Sequence, residues 1–178
     1  MNKDFVEILS SQFVSVTGGL LAGSMLAFFT NKLLLIPGLL VLIPGFLEMR
    51  GNISGSLSAR LSSALHLGTL SPKSRNNKFL RANIIASWIL VILVSVILGI
   101  VAYLAILIFF KISEPRIIYV SFMAAIISNI IILPLTTNTT IWLFKKGYDP
   151  DDIMGPYNTS IGDITSVLSI LVAILIIT

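Results

Sequence analysis

The sequence predicts an all-α integral membrane protein with five transmembrane helices, the second of them long and irregular. Three observations carry this reading. Of 178 residues, 56% are hydrophobic and only 11% charged, where soluble domains carry roughly 25% charged residues. Mean hydropathy is +0.98. Charge-free runs of the length needed to cross a bilayer, about 20 residues, recur along the chain: residues 8–31, 82–110 and 117–144 hold no charge, and 153–178 hold only Asp163. This composition excludes a soluble enzyme, a nucleic-acid binder and a disordered chain, and leaves too few polar residues for a sizeable extramembrane domain. There is no cysteine and one histidine, so thiol chemistry and a histidine-based zinc site are excluded. No phosphate loop, HExxH or nucleophile elbow points to catalysis; the chain reads as a non-enzyme.

The first span covers roughly residues 10–30. Asp4 and Glu7 stand where a signal peptide would be basic, so it reads as a permanent span. Its Gly19/Gly23 spacing is that of a tightly packed helix interface. The second stretch, residues 33–68, is broken by Pro37, Pro44, Gly45, Gly51 and Gly55 and contains Glu48, Arg50, Arg60 and His66. Irregular backbone at membrane depth survives only where protein or water surrounds it. Hydropathy alone leaves two readings open: a pore-lining element, or a span ending near Leu47 followed by an amphipathic cytoplasmic helix. Glu48 and Arg50 could pair with each other. The third span, 83–110, is almost devoid of polar side chains and reads as peripheral and lipid-facing. The fourth, 117–143, carries Ser128, Asn129, Pro134 and a Thr/Asn run whose hydroxyls could serve the carbonyls freed by proline or could line a pore. The fifth, 157–177, follows a basic-then-acidic loop whose aspartates suit a helix N-terminus.

Short-loop cations set orientation. With the N-terminus cytoplasmic, Lys3, Lys73, Arg75, Lys78, Arg81, Lys145 and Lys146 lie inside, against Lys32, Lys111 and Arg116 outside. The expectation is a multi-pass protein of a plasma-type membrane, N-terminus in and C-terminus out.

Intramembrane charge is expensive and therefore informative. Asp163 lies within the last span, with Thr159 and Ser166 on its helical stripe and Asn158, Gly162 and Ser169 beside it. The opposite side is Ile and Leu. This arrangement suits an oxygen-lined ion path with a carboxylate at its centre, or a paired aspartate that packs helices.

Two segments resemble the MgtE-type magnesium transporters and their animal solute-carrier relatives. KKGYDPDDIMGPYNTSIGDITS is similar to the family's G-x-D-P segment and its final helix with a small-x-Asp-x-Thr core, here Gly162, Asp163, Ile164 and Thr165. IPGFLEMRGNISGSLSARLSSALHLG is similar to its second helix, where Pro44, Gly51 and Asn52 match a proline followed by a Gly-Asn pair. The resemblance implies one five-span domain over residues 1–178 and a pore formed between two such domains, in a homodimer or with a sister chain. It implies a channel-like Mg2+ transporter with the ion held by Asp163 of each domain. Asn158, Thr159 and Gly162 would stand beside the ion, and Gly51, Asn52 and Gly55 would approach from the second helix; Ser166, on the Asp163 stripe, and Asn129 of the fourth span are further pore-lining candidates read from the residues themselves. Mg2+ is here the transported ion; the partners are a second domain and the bilayer, with no nucleic acid. Bacterial relatives carry cytosolic magnesium-sensing domains; only about ten residues precede the first span here, so no sensor is expected. Glu48 and Arg50 stand where bacterial members have small residues. A proton- or sodium-coupled secondary transporter with Asp163 as relay, or a non-conducting half-subunit, are the alternatives.

Overall fold

The computed structural model describes residues 3–73 and 77–177, and all its described secondary structure is helical. The helices are α1 (Lys3–Phe28), the short α2 (Thr30–Leu33), α3 (Leu39–His66), α4 (Lys78–Phe110), α5 (Arg116–Lys145) and α6 (Pro150–Ile177). Arg75, one of the cations on which the expected orientation rests, lies outside the described residues, as does Thr178.

Local chemistry sets the helix ends. Asn77 caps α4 by accepting the Phe79 N–H at 2.7 Å, relieving one orphan donor of the first turn. α6 opens on Pro150, whose missing N–H is no loss at a first helical position. Asp149 precedes it and accepts the Asp151 N–H at 2.9 Å. Asp151 and Asp152 in the first turn suit the positive end of the helix dipole. Gly38 starts α3 at φ 90°, and a side chain there would also meet Ile106 and Ile117.

α3, α5 and α6 pack on one another; α4 closes the bundle against α3 and α5, and α1 lies along α6. Two apolar clusters fill the interior. One holds Leu39, Leu42 and Phe46 with Ile117, Val120, Ala124 and Ile170. The other joins Leu57, Leu61 and Leu65 to Leu80 and Leu133. α3 gives its last residue to the first cluster at Ile53 and its first to the second at Leu57. Buried Arg50, Ser54 and Ser58 fall around that junction.

Four expectations need correction or refinement. The second stretch is irregular only at its start: residues 39–66 form one continuous helix through Pro44. The break is confined to the turns at Leu34–Gly38. Pro44 lies in the second turn of α3, where its missing N–H leaves only the Leu40 carbonyl without its helical partner. Of the described helices, four are long and apolar enough to cross a membrane: those containing residues 8–28, 78–110, 116–145 and 150–177. α3 is not among them, because its charges and serines dilute its hydropathy. The tight glycine contact of α1 is made by Gly18 rather than Gly19 or Gly23. A Cβ on Gly18 would collide with Ser160 of α6, whereas the other two have open space. Finally, α4 is exposed on most of its surface but buries a stripe of Ser87, Val91, Ser95, Gly99, Ala102 and Ile106. Gly99 lets the α5 backbone approach.

Candidate functional site

The polar centre of the bundle is built where α3 crosses α6. The two helices run antiparallel: Arg50 meets Asp163, further along α3 Ser58 meets Asn158, and at the end His66 Nε2 lies 3.5 Å from Asp149 Oδ1. Arg50 is 4% exposed. Its Nη2 donates to Asp163 Oδ1 at 3.0 Å and its Nη1 to the Asn158 carbonyl at 3.0 Å. The Asp163 side chain keeps 19% exposure. The guanidinium rests in the hollow left by Gly162, where any Cβ would collide with it. That is a packing reason for glycine beside the intramembrane aspartate.

Asn158, 3% exposed, cross-links three helices. Its Oδ1 accepts from Thr136 Oγ1 of α5 at 2.9 Å, and its Nδ2 donates to Ser58 Oγ of α3 at 3.2 Å. Thr136 thus serves α6, while Thr140 Oγ1 donates to the Thr136 carbonyl within α5. Asn129 and Ser166 are enclosed, at 4% and 0% exposure. Asn129 Nδ2 and Ser166 Oγ have no hydrogen-bond partner among the described residues, and the same holds for Ser62, Ser128 and Thr137 hydroxyls. All belong to the three helices that pack together.

Beside this sealed network α3 and α6 present polar groups outward. Glu48, Asn52 and Ser56 of α3 are exposed, and Gly51 and Gly55 have open space at the Cβ position. On α6, Gly155 and Thr159 are exposed. The Thr159 hydroxyl donates to the Gly155 carbonyl at 3.1 Å, which leaves its lone pairs outward. The outer face of α4 from Ile85 onward, by contrast, exposes only apolar side chains, among them Ile89, Leu93, Ile97, Val101 and Ile108.

A family model, MgtE, described as a divalent cation transporter, matches residues 43–173. The chain belongs to the MgtE divalent cation transporter family. No curated protein and no solved structure gives a significant match. The matched segment runs from Ile43 within α3 to Ala173 within α6 and leaves α1 and α2 outside it. As an MgtE member the chain is a multi-pass membrane protein of a transporter family.

One expected contact is overturned. Glu48 and Arg50 do not pair: two residues apart on a helix they point about 200° from each other. Arg50 faces α6, whereas Glu48 faces outward and accepts from Asn52 Nδ2 at 3.0 Å. The Arg50–Asp163 pair was legible in principle. A buried cation needs an intramembrane acid, Glu48 is on the wrong side of its own helix, and Asp163 is the other acid within the long helices' apolar stretches. The roles of Thr136 and Ser58 carried no sequence signal, since both sit among many similar hydroxyls.

Proposed function

We propose that this MgtE member moves hydrated Mg2+ across a plasma-type membrane through a pore formed between two five-span domains. α3 is the fifth crossing, with the N-terminus cytoplasmic and the C-terminus outside. The observation that supports this reading is the outward polar strip of Gly51, Asn52 and Gly55 on α3 beside Thr159 and partly exposed Asp163 on α6. The exposed faces of α4 from Ile85 onward and of the end of α6 are by contrast apolar. A polar strip at membrane depth requires protein or water against it, and a second copy facing the first supplies both.

Mg2+ is small, hard and reluctant to lose its water. Asp163 from each of two copies offers two carboxylates to one divalent ion. Thr159 and the small residues of α3 leave room and oxygens for the hydration shell. Few direct charges keep the ion from being trapped, as conduction requires. Asn158 supports the path from behind by fixing α6 to α3 and α5, rather than by touching the ion. Glu114 and Arg116, at the α4–α5 connection, lie outside this pathway; Arg116 donates to both Glu114 oxygens at 2.7 Å.

The test is Mg2+ uptake into liposomes holding the purified chain alone, with Asp163→Asn in parallel. Uptake by the wild type and background uptake by the variant is the expected result. Uptake undiminished in the variant refutes the assignment of Asp163. No uptake by the wild type indicates a half-transporter that needs a sister chain. Dependence on an imposed proton or sodium gradient indicates coupled transport.

A further inference from the structure

Asp163 already has a cation on it, and that cation is covalently part of the chain. Resting on the transport reading above, we propose that Arg50 is a tethered competitor: it occupies the ion-facing carboxylate and sets how much Mg2+ is needed to open the pathway.

Three features distinguish this from an ordinary structural ion pair. The first is that the guanidinium reaches Asp163 through Nη2 alone, while Nη1 is held by the Asn158 carbonyl. Released from the carboxylate, Arg50 loses its counter-charge but keeps that second hydrogen-bond acceptor. Second, Arg50 Nε has no hydrogen-bond partner among the described residues. The fork is not saturated, as it would be in a pair built for permanence. Third, the carboxylate is on the accessible edge of the network: the Asp163 side chain is 19% exposed, against 5% for that of Arg50. A cation arriving along the outward strip meets the aspartate before the arginine.

Charge decides the direction of the effect. With Arg50 in place each Asp163 contributes no net charge, and two copies offer an approaching Mg2+ a neutral pair of sites. Removing Arg50 exposes two negative charges to a divalent ion. A competitor lowers apparent affinity by the fraction of time it holds the site. The chain is therefore a weaker binder than its carboxylates alone would make it. Glu48 is the rival holder of the ion: it lies at nearly the same depth, two residues and about 3 Å of helix rise from Arg50, and faces outward.

The experiment measures the KM for Mg2+ uptake into liposomes containing the full chain, for wild type, Arg50→Gln, Arg50→Lys, Arg50→Gln/Asp163→Asn and Glu48→Gln. Arg50→Gln is expected to lower KM by about tenfold, a typical coupling between two ligands of one site. Arg50→Lys should lower it by about threefold, because a single ammonium cannot hold both the Asn158 carbonyl and the carboxylate as the guanidinium fork does. The double variant should fold, having neither buried charge, and give no uptake. Should Arg50→Gln fail to fold, the Lys variant carries the test. An unchanged or raised KM in the Arg50 variants, with uptake still dependent on Asp163, overturns the competitor and leaves the transport reading standing. A KM raised by Glu48→Gln and untouched by the Arg50 variants moves the ion to Glu48 and also overturns it. Absence of Asp163-dependent uptake in every variant defeats the transport reading instead.

Discussion

α3 and α4 invert what hydropathy suggests about them. α4 has the highest mean hydropathy of the four candidate spans, yet only 7 of its 33 residues are buried. α3 is too polar to read as a span by hydropathy, yet 14 of its 28 residues are buried, Arg50 among them. In a bilayer the apolar solvent is outside. Hydropathy therefore reports which helix faces lipid, and a helix enclosed by its neighbours is free to carry serine, arginine and glycine. The helix that looks least like a membrane span packs against three others, α4, α5 and α6.

That contrast can be broken or sharpened by substitution. The largest effect is expected on transport: Asp163→Asn should reduce Mg2+ uptake in liposomes to background, a loss of at least about tenfold. Next comes stability. Asp163→Ala leaves Arg50 buried without its counter-charge and should cost about 3–5 kcal/mol in a reversible detergent unfolding titration; adding Arg50→Gln should restore most of it. Failure of the second substitution to rescue would show that Asp163 supports the fold by something other than this pair. Asn158→Leu strands the Thr136 hydroxyl and removes the donor to Ser58, whose own hydroxyl still serves the Gly55 carbonyl, and should cost roughly 1–3 kcal/mol by the same measurement. On the outer face of α4, Leu93 is 55% exposed, and Leu93→Ala should stay within about 0.5 kcal/mol. A cost comparable to that of Asn158→Leu would mean that α4 is covered by protein rather than lipid.

The smallest effect concerns the α4–α5 connection. Hydrogen bonding from Arg116 holds the Glu114 carboxyl below its ordinary range. A carboxylate with a lowered folded-state pKa adds stability above its unfolded pKa and loses it as pH falls through the folded one. Glu114→Gln should therefore lower the melting temperature slightly at neutral pH and not at all in acid, and the difference should shrink in high salt.

Much of the fold was legible because spans are long and lipid leaves a strong pattern. The helices α1, α4, α5 and α6 follow directly from runs without charge. α3 was harder for a physical reason: its Pro44 and its glycines are features of a broken helix in a lipid-exposed setting, but enclosure by α4, α5 and α6 keeps it straight enough to continue. The α1 glycines misled in a related way. Gly18, Gly19 and Gly23 are equivalent to a spacing rule, and only the register of α1 on α6, set by contacts such as Ser160 Oγ donating to the Val14 carbonyl, decides which is buried. Asp163 was conspicuous as a charge in an apolar run. Its partner was not, because Arg50 sits among residues whose spacing suggests a nearer acid, and the choice between Glu48 and Asp163 depends on which side of α3 meets α6.

The position of Asp163 also has an electrical meaning. α6 has 28 residues, a rod about 42 Å long, and Asp163 stands at its middle. An ion bound there has crossed about half of the transmembrane voltage. For a divalent cation that would amount to about 2.3 kcal/mol per 100 mV, so on the proposed pathway membrane potential would draw Mg2+ toward the carboxylate from one side and away from it on the other. Arg50, fixed at the same depth, feels that field too, with its charge confined to the few ångströms its side chain can travel.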